Sequence, residues 1–434
     1  MAQAVLDIIT SSLGDCLSCF PRGSSTLKIN NRSFKILRLL GEGGFSYVYL
    51  VADTATGEHL ALKKIRCPFG AESVAQALRE VEAYRLFGHV PGIIRCLGHA
   101  LATDGGAPQS APPDPAAAQT VYVLLPYYRR GNLQDQINAN LVNASRFPER
   151  RLARLFLGVC RALQAMHHYR PPADADAEAD AQPRHEAMSM QQTPAAADGK
   201  KPLGPGHGTG ADDEYEADQQ RPLMADTGGT AAAAAGATSS YAHRDIKPGN
   251  IMISDADEAI LMDLGSVAAG PTRIATRSQA VAMQDAAAEH STMPYRAPEL
   301  FDVKTGAVVD ARVDVWSLGC TLFACLVGKS PFEMRSDETG GSLSICVLSG
   351  DWRFPDEEPG GRKRRGGKGK GREQRGGGGE EGEEEEEEEG GISEPMRDLV
   401  RRCLKVEPSE RPDMDELIER VEGVLDRLPE DGAA

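Results

Sequence analysis

Eight consecutive residues, His243-Arg244-Asp245-Ile246-Lys247-Pro248-Gly249-Asn250, constrain this chain more than any other feature. Eighteen residues after Asp245 comes Asp263-Leu264-Gly265, and further on Ala297-Pro298-Glu299. Three such elements do not assemble in order by chance, and the fold must suit all of them. The pattern around them is regular. FKILRLLG (34–41), YVYLVAD (47–53) and HLALKKI (59–65) read as strands rich in β-branched and aromatic residues. Residues 71–87 have helical periodicity and a glycine stop at Gly88. Two further strands are expected at 93–100 and 120–126. From Leu133 the pattern turns helical, notably at 148–168, 314–328, 393–405 and 413–428. Strands first and helices later predict an α+β chain with a small sheet lobe (28–130) and a larger helical lobe (131–428).

Three segments interrupt that texture: a Pro/Ala/Gly stretch at 103–119, an Ala/Asp/Gly/Pro tract at 171–240, and a basic block followed by a glutamate run at 356–391. None can bury enough apolar surface to offset its ordering entropy, so all three are expected to be disordered, as are the tails 1–27 and 429–434. The two longer tracts hold most of the net charge of −16, so the acidity says little about partners. The basic block reads as a solvated loop neutralised by the glutamates after it, and no nucleic-acid partner is expected. Nine cysteines without framework spacing suit a reducing compartment. The first twenty residues lack a basic leader, and no window is apolar enough to span a bilayer. The expectation is a cytoplasmic monomer.

The first strand runs into Gly41-Glu42-Gly43-Gly44-Phe45-Ser46-Tyr47-Val48, a glycine-rich turn whose backbone N–H groups can approach phosphate oxygens with no Cβ in the way. Fifteen residues after Val48, Ala61-Leu62-Lys63 closes the third strand. A lysine on a buried strand needs an acidic partner or a phosphate. Glu80, on the helix that follows, is the natural partner.

These motifs together resemble the signature set of the eukaryotic serine/threonine protein kinases, with Ser46 standing where the family's third loop glycine falls. The resemblance implies a bilobal kinase fold with an antiparallel N-lobe sheet, ATP and Mg²⁺ as cofactors, and Ser/Thr hydroxyls of proteins as acceptors. It implies that Asp245 accepts or orients the substrate hydroxyl proton and that Lys247 offsets charge on the moving phosphoryl group. Asn250 and Asp263 would supply hard oxygen ligands to the metal. The loop residues Gly41 to Ser46, with Val48, Ala61 and Lys63, would surround ATP. Leu125 fits the gatekeeper position, and the backbone of Pro126 and Tyr128 would meet adenine. Thr292 resembles the threonine that contacts the catalytic aspartate. Glu299 and Arg411 look like an ion pair beneath the substrate platform, and Asp314 like the anchor of the catalytic loop. A kinase-fold scaffold without activity and a small-molecule kinase are the alternatives.

GEGGFSYV, LLPYYRRGNL, YAHRDIKPGNI and STMPYRAPELF narrow the resemblance to the Numb-associated kinase family, in its myristoylated and palmitoylated branch. That likeness implies a helical activation segment at 276–292 and work in membrane traffic or on secretory-pathway membranes. This chain has Ala2 where myristoylation needs glycine, so Cys16 and Cys19 are its candidate acylation sites. Unmodified cysteines are the other reading. A redox or zinc role lacks the surrounding βαβ context or further ligands.

Overall fold

Period-two alternation builds the first part of the chain. Strands β1 (Thr26–Ile29), β2 (Arg32–Glu42), β3 (Ser46–Asp53), β4 (His59–Cys67), β5 (Gly98–Thr103) and β6 (Gln119–Pro126) form one antiparallel sheet, ordered β1-β2-β3-β4-β6-β5. The computed structural model describes residues 26–29, 31–103, 119–170, 239–357 and 391–430. One sheet face buries Phe34, Tyr49, Val51, Leu60, Leu62 and Leu124 as an apolar cluster. Alternation therefore sends Val48, Ala61, Lys63, Val123 and Leu125 to the other face. There Lys63 lies opposite Val48 on one neighbour and Val123 on the other, and Ala61 lies opposite Leu125. Helix α1 (Ala71–Phe87) buries a stripe of Val74, Ala77, Glu80, Tyr84 and Phe87.

The helical part contains α2 (Leu133–Val142), α3 (Glu149–His167), α4 (Arg277–His290), α5 (Arg312–Val327), α6 (Pro331–Thr339), α7 (Leu343–Ser349), α8 (Glu394–Cys403) and α9 (Met414–Leu425). A capping box of Asn132 and Asp135 starts α2. Helix α5 is buried on every side from Val313 to Leu326, as expected of a central core helix. Its Trp316 stacks on Phe332 with centroids 5.2 Å apart. Short strands β7 (Ser240–Ala242), β8 (Ile251–Ile253) and β9 (Ala259–Leu261) frame the His243–Asn250 run. Among the described residues no single helix is long and apolar enough to cross a membrane.

Some boundaries differ from the sequence expectation. The strand expected at 93–100 runs from Gly98 to Thr103, because Ile93 and Ile94 pair with Leu261 instead: Ile94 N donates to Leu261 O at 2.9 Å. Strand β1 begins at Thr26, inside the stretch expected to be a tail. Thr103 and Gln119 pair at the end of the β5–β6 hairpin, so the first insertion proper is 104–118. Ser240 belongs to β7. Asp356 and Glu357 are ordered because arginines recruit them: Arg397 binds Asp356 at 2.9 Å and Arg401 binds Glu357 at 2.6 Å. The rest of the expected disorder (104–118, 171–238 and 358–390, most of the tails) and both Cys16 and Cys19 lie outside the described residues.

Residues up to His168 and from Ser240 onward make one compact unit, and Tyr169–Ser239 make a second. Within the second, Tyr169 and Ser239 form an antiparallel bridge, with Ser239 N donating to Tyr169 O at 2.9 Å. The two ends of the long tract are thus adjacent. Closing a loop between adjacent points costs little more as it lengthens, about 0.6 kcal/mol per doubling. Replacing 171–238 with a short Gly/Ser link is expected to preserve kcat within about twofold and to raise stability slightly. A shortened protein that folds but has lost most of its activity would give the tract a working role in the enzyme.

Candidate active site

The face-sharing residues of β3, β4 and β6 bring Lys63 against Glu80 of α1. Lys63 Nζ lies 2.7 Å from Glu80 Oε1 and 2.8 Å from Asp263 Oδ1. Burial alone would lower the Lys63 ammonium pKa, but the charges of Asp263 and Glu80 outweigh it and raise the value above the ordinary lysine range. The Lys63 charge in turn holds the Asp263 carboxyl down at about 2, against the opposing effect of burial. Burial raises the Glu80 carboxyl, with the Lys63 charge opposing. Asp263 has φ 63°, a left-handed backbone uncommon outside glycine and asparagine, of a kind that clusters at working sites.

Asp245 is held from both sides. Its Oδ2 accepts from Lys247 Nζ at 2.8 Å and Asn250 Nδ2 at 3.0 Å. Its Oδ1 accepts from Thr292 N at 2.9 Å and Thr292 Oγ1 at 2.7 Å. Lys247 Nζ also donates to Thr292 Oγ1 at 2.7 Å. The loop under Asp245 hangs from Asp314, which is wholly buried in α5. Asp314 Oδ2 accepts from His243 N at 2.7 Å, Oδ1 accepts from Arg244 N at 2.8 Å, and His167 Nε2 lies 2.9 Å from Oδ2. Burial works to raise the Asp314 pKa, but His167, His243 and the Arg244 N–H outweigh it and leave it lowered.

The glycine turn folds tightly, with Gly43 N donating to Ser46 O at 2.7 Å, and a Cβ on Gly43 would sit 3.0 Å from Ser46 Oγ. Arg66 N donates to Phe45 O at 2.8 Å, tying the tip to β4. Gly41 pairs with Val48, and Glu42 pairs with Tyr47. The tip, Lys63, Glu80, Asp245, Lys247, Asp263 and Thr292 line one cavity of about 400 Å³. Leu125 is buried beside Ala61, Pro126 ends β6, and Tyr128 follows half-buried. Arg411 grips Glu299 with both terminal nitrogens, at 2.7 and 2.8 Å. The structure thus gathers Lys63, Glu80, Asp245, Lys247, Asp263 and Thr292 around the cavity, with Asn250 bonded to Asp245, while Asp314 holds the His243–Arg244 backbone and Glu299 pairs with Arg411. Sequence reading missed Tyr84, whose hydroxyl donates to Glu80 Oε1 at 2.9 Å. Its place four residues after Glu80 was the available signal.

The donor set suits a divalent cation. Asn250 spends its amide nitrogen on Asp245 O and Oδ2, which leaves the amide oxygen available. Asp263 offers a carboxylate kept ionised by Lys63. Hard oxygens of this kind hold Mg²⁺-like ions, and a cation bound there would neutralise phosphate charge.

A glycine turn over a cavity, a lysine–glutamate–aspartate cluster and a pinned aspartate in a bilobal frame define an ATP-dependent phosphotransferase of the protein-kinase type. The chain belongs to the protein kinase domain family, whose model matches residues 34–170 and 238–421. It is 30% identical over 424 residues to serine/threonine-protein kinase ENV7 of Saccharomyces cerevisiae, covering 95% of this chain and 98% of that one. It is 29% identical to serine/threonine-protein kinase ppk13 of Schizosaccharomyces pombe, over 91% of each. It is also 31% identical to serine/threonine-protein kinase 16 of Rattus norvegicus, over 77% of this chain and 82% of the relative. The chain is a protein serine/threonine kinase that takes ATP and a divalent cation and acts on proteins.

Proposed function

We propose that the cation is Mg²⁺, held by Asn250 and Asp263, and that Asp245 accepts or orients the proton of the attacking hydroxyl. Lys63, positioned by Glu80, holds the nucleotide phosphates, and Lys247 offsets charge on the group in transit. The observation that carries this assignment is the four-donor grip on Asp245, which aims one carboxylate into the cavity beside Lys63 and Asp263. Leu125 acts as gatekeeper, and the backbone of Pro126 and Tyr128 meets adenine.

The finer family reading is the Numb-associated family, in its acylated branch. It is supported by the motifs GEGGFSYV and STMPYRAPELF and by the 14-residue helix α4, where the resemblance implies a helical activation segment. On this reading the enzyme works as a monomer at the cytoplasmic surface of secretory-pathway membranes, anchored through Cys16 and Cys19. One acyl chain gives only marginal binding, so both cysteines are needed. Wild type is expected in the membrane fraction and released by hydroxylamine, while Cys16→Ser/Cys19→Ser is soluble with kcat unchanged. A wholly soluble wild type carrying no thioester-linked lipid would exclude the anchor.

A further inference from the structure

Helix α1 presents Gln76, Glu80 and Tyr84 at i, i+4 and i+8, one stripe facing the cavity and the core. Glu80 takes the Lys63 ammonium and the Tyr84 hydroxyl. Gln76 reaches across to α4: its Nε2 lies 3.2 Å from Nε2 of His290, the last residue of that helix. His290 is fixed from behind, because Ser266 Oγ donates to its carbonyl at 2.6 Å. Ser266 directly follows Gly265, where a Cβ would stand 3.2 Å from Glu80 Oε2. A closed circuit thus runs from α1 through His290 and Ser266 to the Asp263 loop and back to Glu80.

A second observation concerns what keeps α4 in place. Many kinases order their activation loops with a phosphate that pairs with arginine. Here Arg244 is covered by α4 itself. Its guanidinium meets Met283 Sδ at 3.6 Å, and its buried Nε has no hydrogen-bond partner among the described residues. Helix α4 carries its own fastenings instead. A capping box of Thr276 and Gln279 starts it, and Arg296 binds Ser291 Oγ at 2.7 Å just past its end.

We propose that Gln76 and His290 are positioning residues: their side-chain contact transmits the order of α4 to Glu80 and so sets the Lys63–Glu80 pair without phosphate. The test uses the full chain with His290→Leu, Gln76→Leu, the double variant, and His290→Gln, which restores a hydrogen-bonding amide. Each single Leu variant is expected to lose about tenfold in kcat, the value of about one hydrogen bond, with KM for ATP changed by less than about twofold. The double variant should be no worse than either single, because one link can be broken only once. His290→Gln should recover most of the rate, and amide exchange across 71–87 should quicken in His290→Leu. Gln76 is half-buried on α1, so Gln76→Leu carries the test should His290→Leu fail to fold. Single losses that multiply in the double, a His290→Gln as impaired as His290→Leu, or an unaltered kcat in Gln76→Leu would each overturn the proposal.

Discussion

Asp245→Asn is expected to cut turnover by at least about a thousandfold while leaving ATP binding nearly intact. Loss of a general base alone costs about 10²–10⁴ in rate. This site adds a geometric reason. Four donors converge on the Asp245 carboxylate, two on each oxygen. An asparagine offers one acceptor oxygen and turns an NH₂ toward the other pair, so either Lys247 and Asn250 or Thr292 must move away. On the assignment proposed above, the nucleotide depends on Lys63 and Asp263, which the substitution does not touch. Asp263→Asn should behave differently, weakening metal–nucleotide binding as well as turnover, because it removes both the charged metal ligand proposed above and a partner of Lys63. Single-turnover phosphorylation beside nucleotide titration separates the two cases. Turnover by Asp245→Asn within tenfold of wild type, in a preparation free of other kinases, would remove the aspartate from the role proposed for it.

The largest effect on stability is expected at Arg411. Its side chain is fully buried, and its five N–H groups go to Lys405 O, Arg312 O, Val406 O and both oxygens of Glu299. The guanidinium also lies 5.1 Å from the Trp316 ring centroid. Arg411→Met strands Glu299 and three carbonyls, and breaking a buried pair from one side costs about 3–5 kcal/mol. At about 2.1 cal/mol/K of unfolding entropy per ordered residue, Tm should fall by roughly 5–8 °C. Arg411→Met/Glu299→Leu should recover part of the loss, because no buried charge is then left unpaired. Urea unfolding of the two variants checks this. A loss below about 1 kcal/mol in the single variant would mean that water reaches Glu299 and replaces its partner.

Much of the active site was legible because strand alternation is a strict rule. Once Lys63 was placed on a strand, Ala61 had to share its face, and Lys64 had to leave it. Glu80 was legible as an acid in the middle of the next helix, placed to answer a buried lysine. The limits of β5 were not legible. Ile93 and Ile94 read as strand residues, yet they bond to Leu261, which lies far along the chain. Strand β1 is four residues long, too short to show a period. The Gln76–His290 contact joins residues 214 apart, and neither side chain carries a local signal. Asp356 and Glu357 read as the start of a charged loop, because composition does not reveal that Arg397 and Arg401 wait nearby on α8. The roles of Asp314, Glu299 and Arg411 came from family likeness, since nothing in their neighbours implies a partner.

The bridged ends at Tyr169 and Ser239 divide the catalytic apparatus in a specific way. A single cut anywhere in 171–238 leaves one fragment with the glycine turn, Lys63 and Glu80, and another with Asp245, Asn250, Asp263 and Thr292. On the assignment proposed above, neither piece is expected to transfer phosphate alone. Yet the seam between them is broad and largely noncovalent in character: Lys63 to Asp263, Ile94 to Leu261, His167 to Asp314, and α3 against α9. Should the short Gly/Ser link preserve kcat, two separately made halves are expected to regain activity when a pair of attached proteins brings them together.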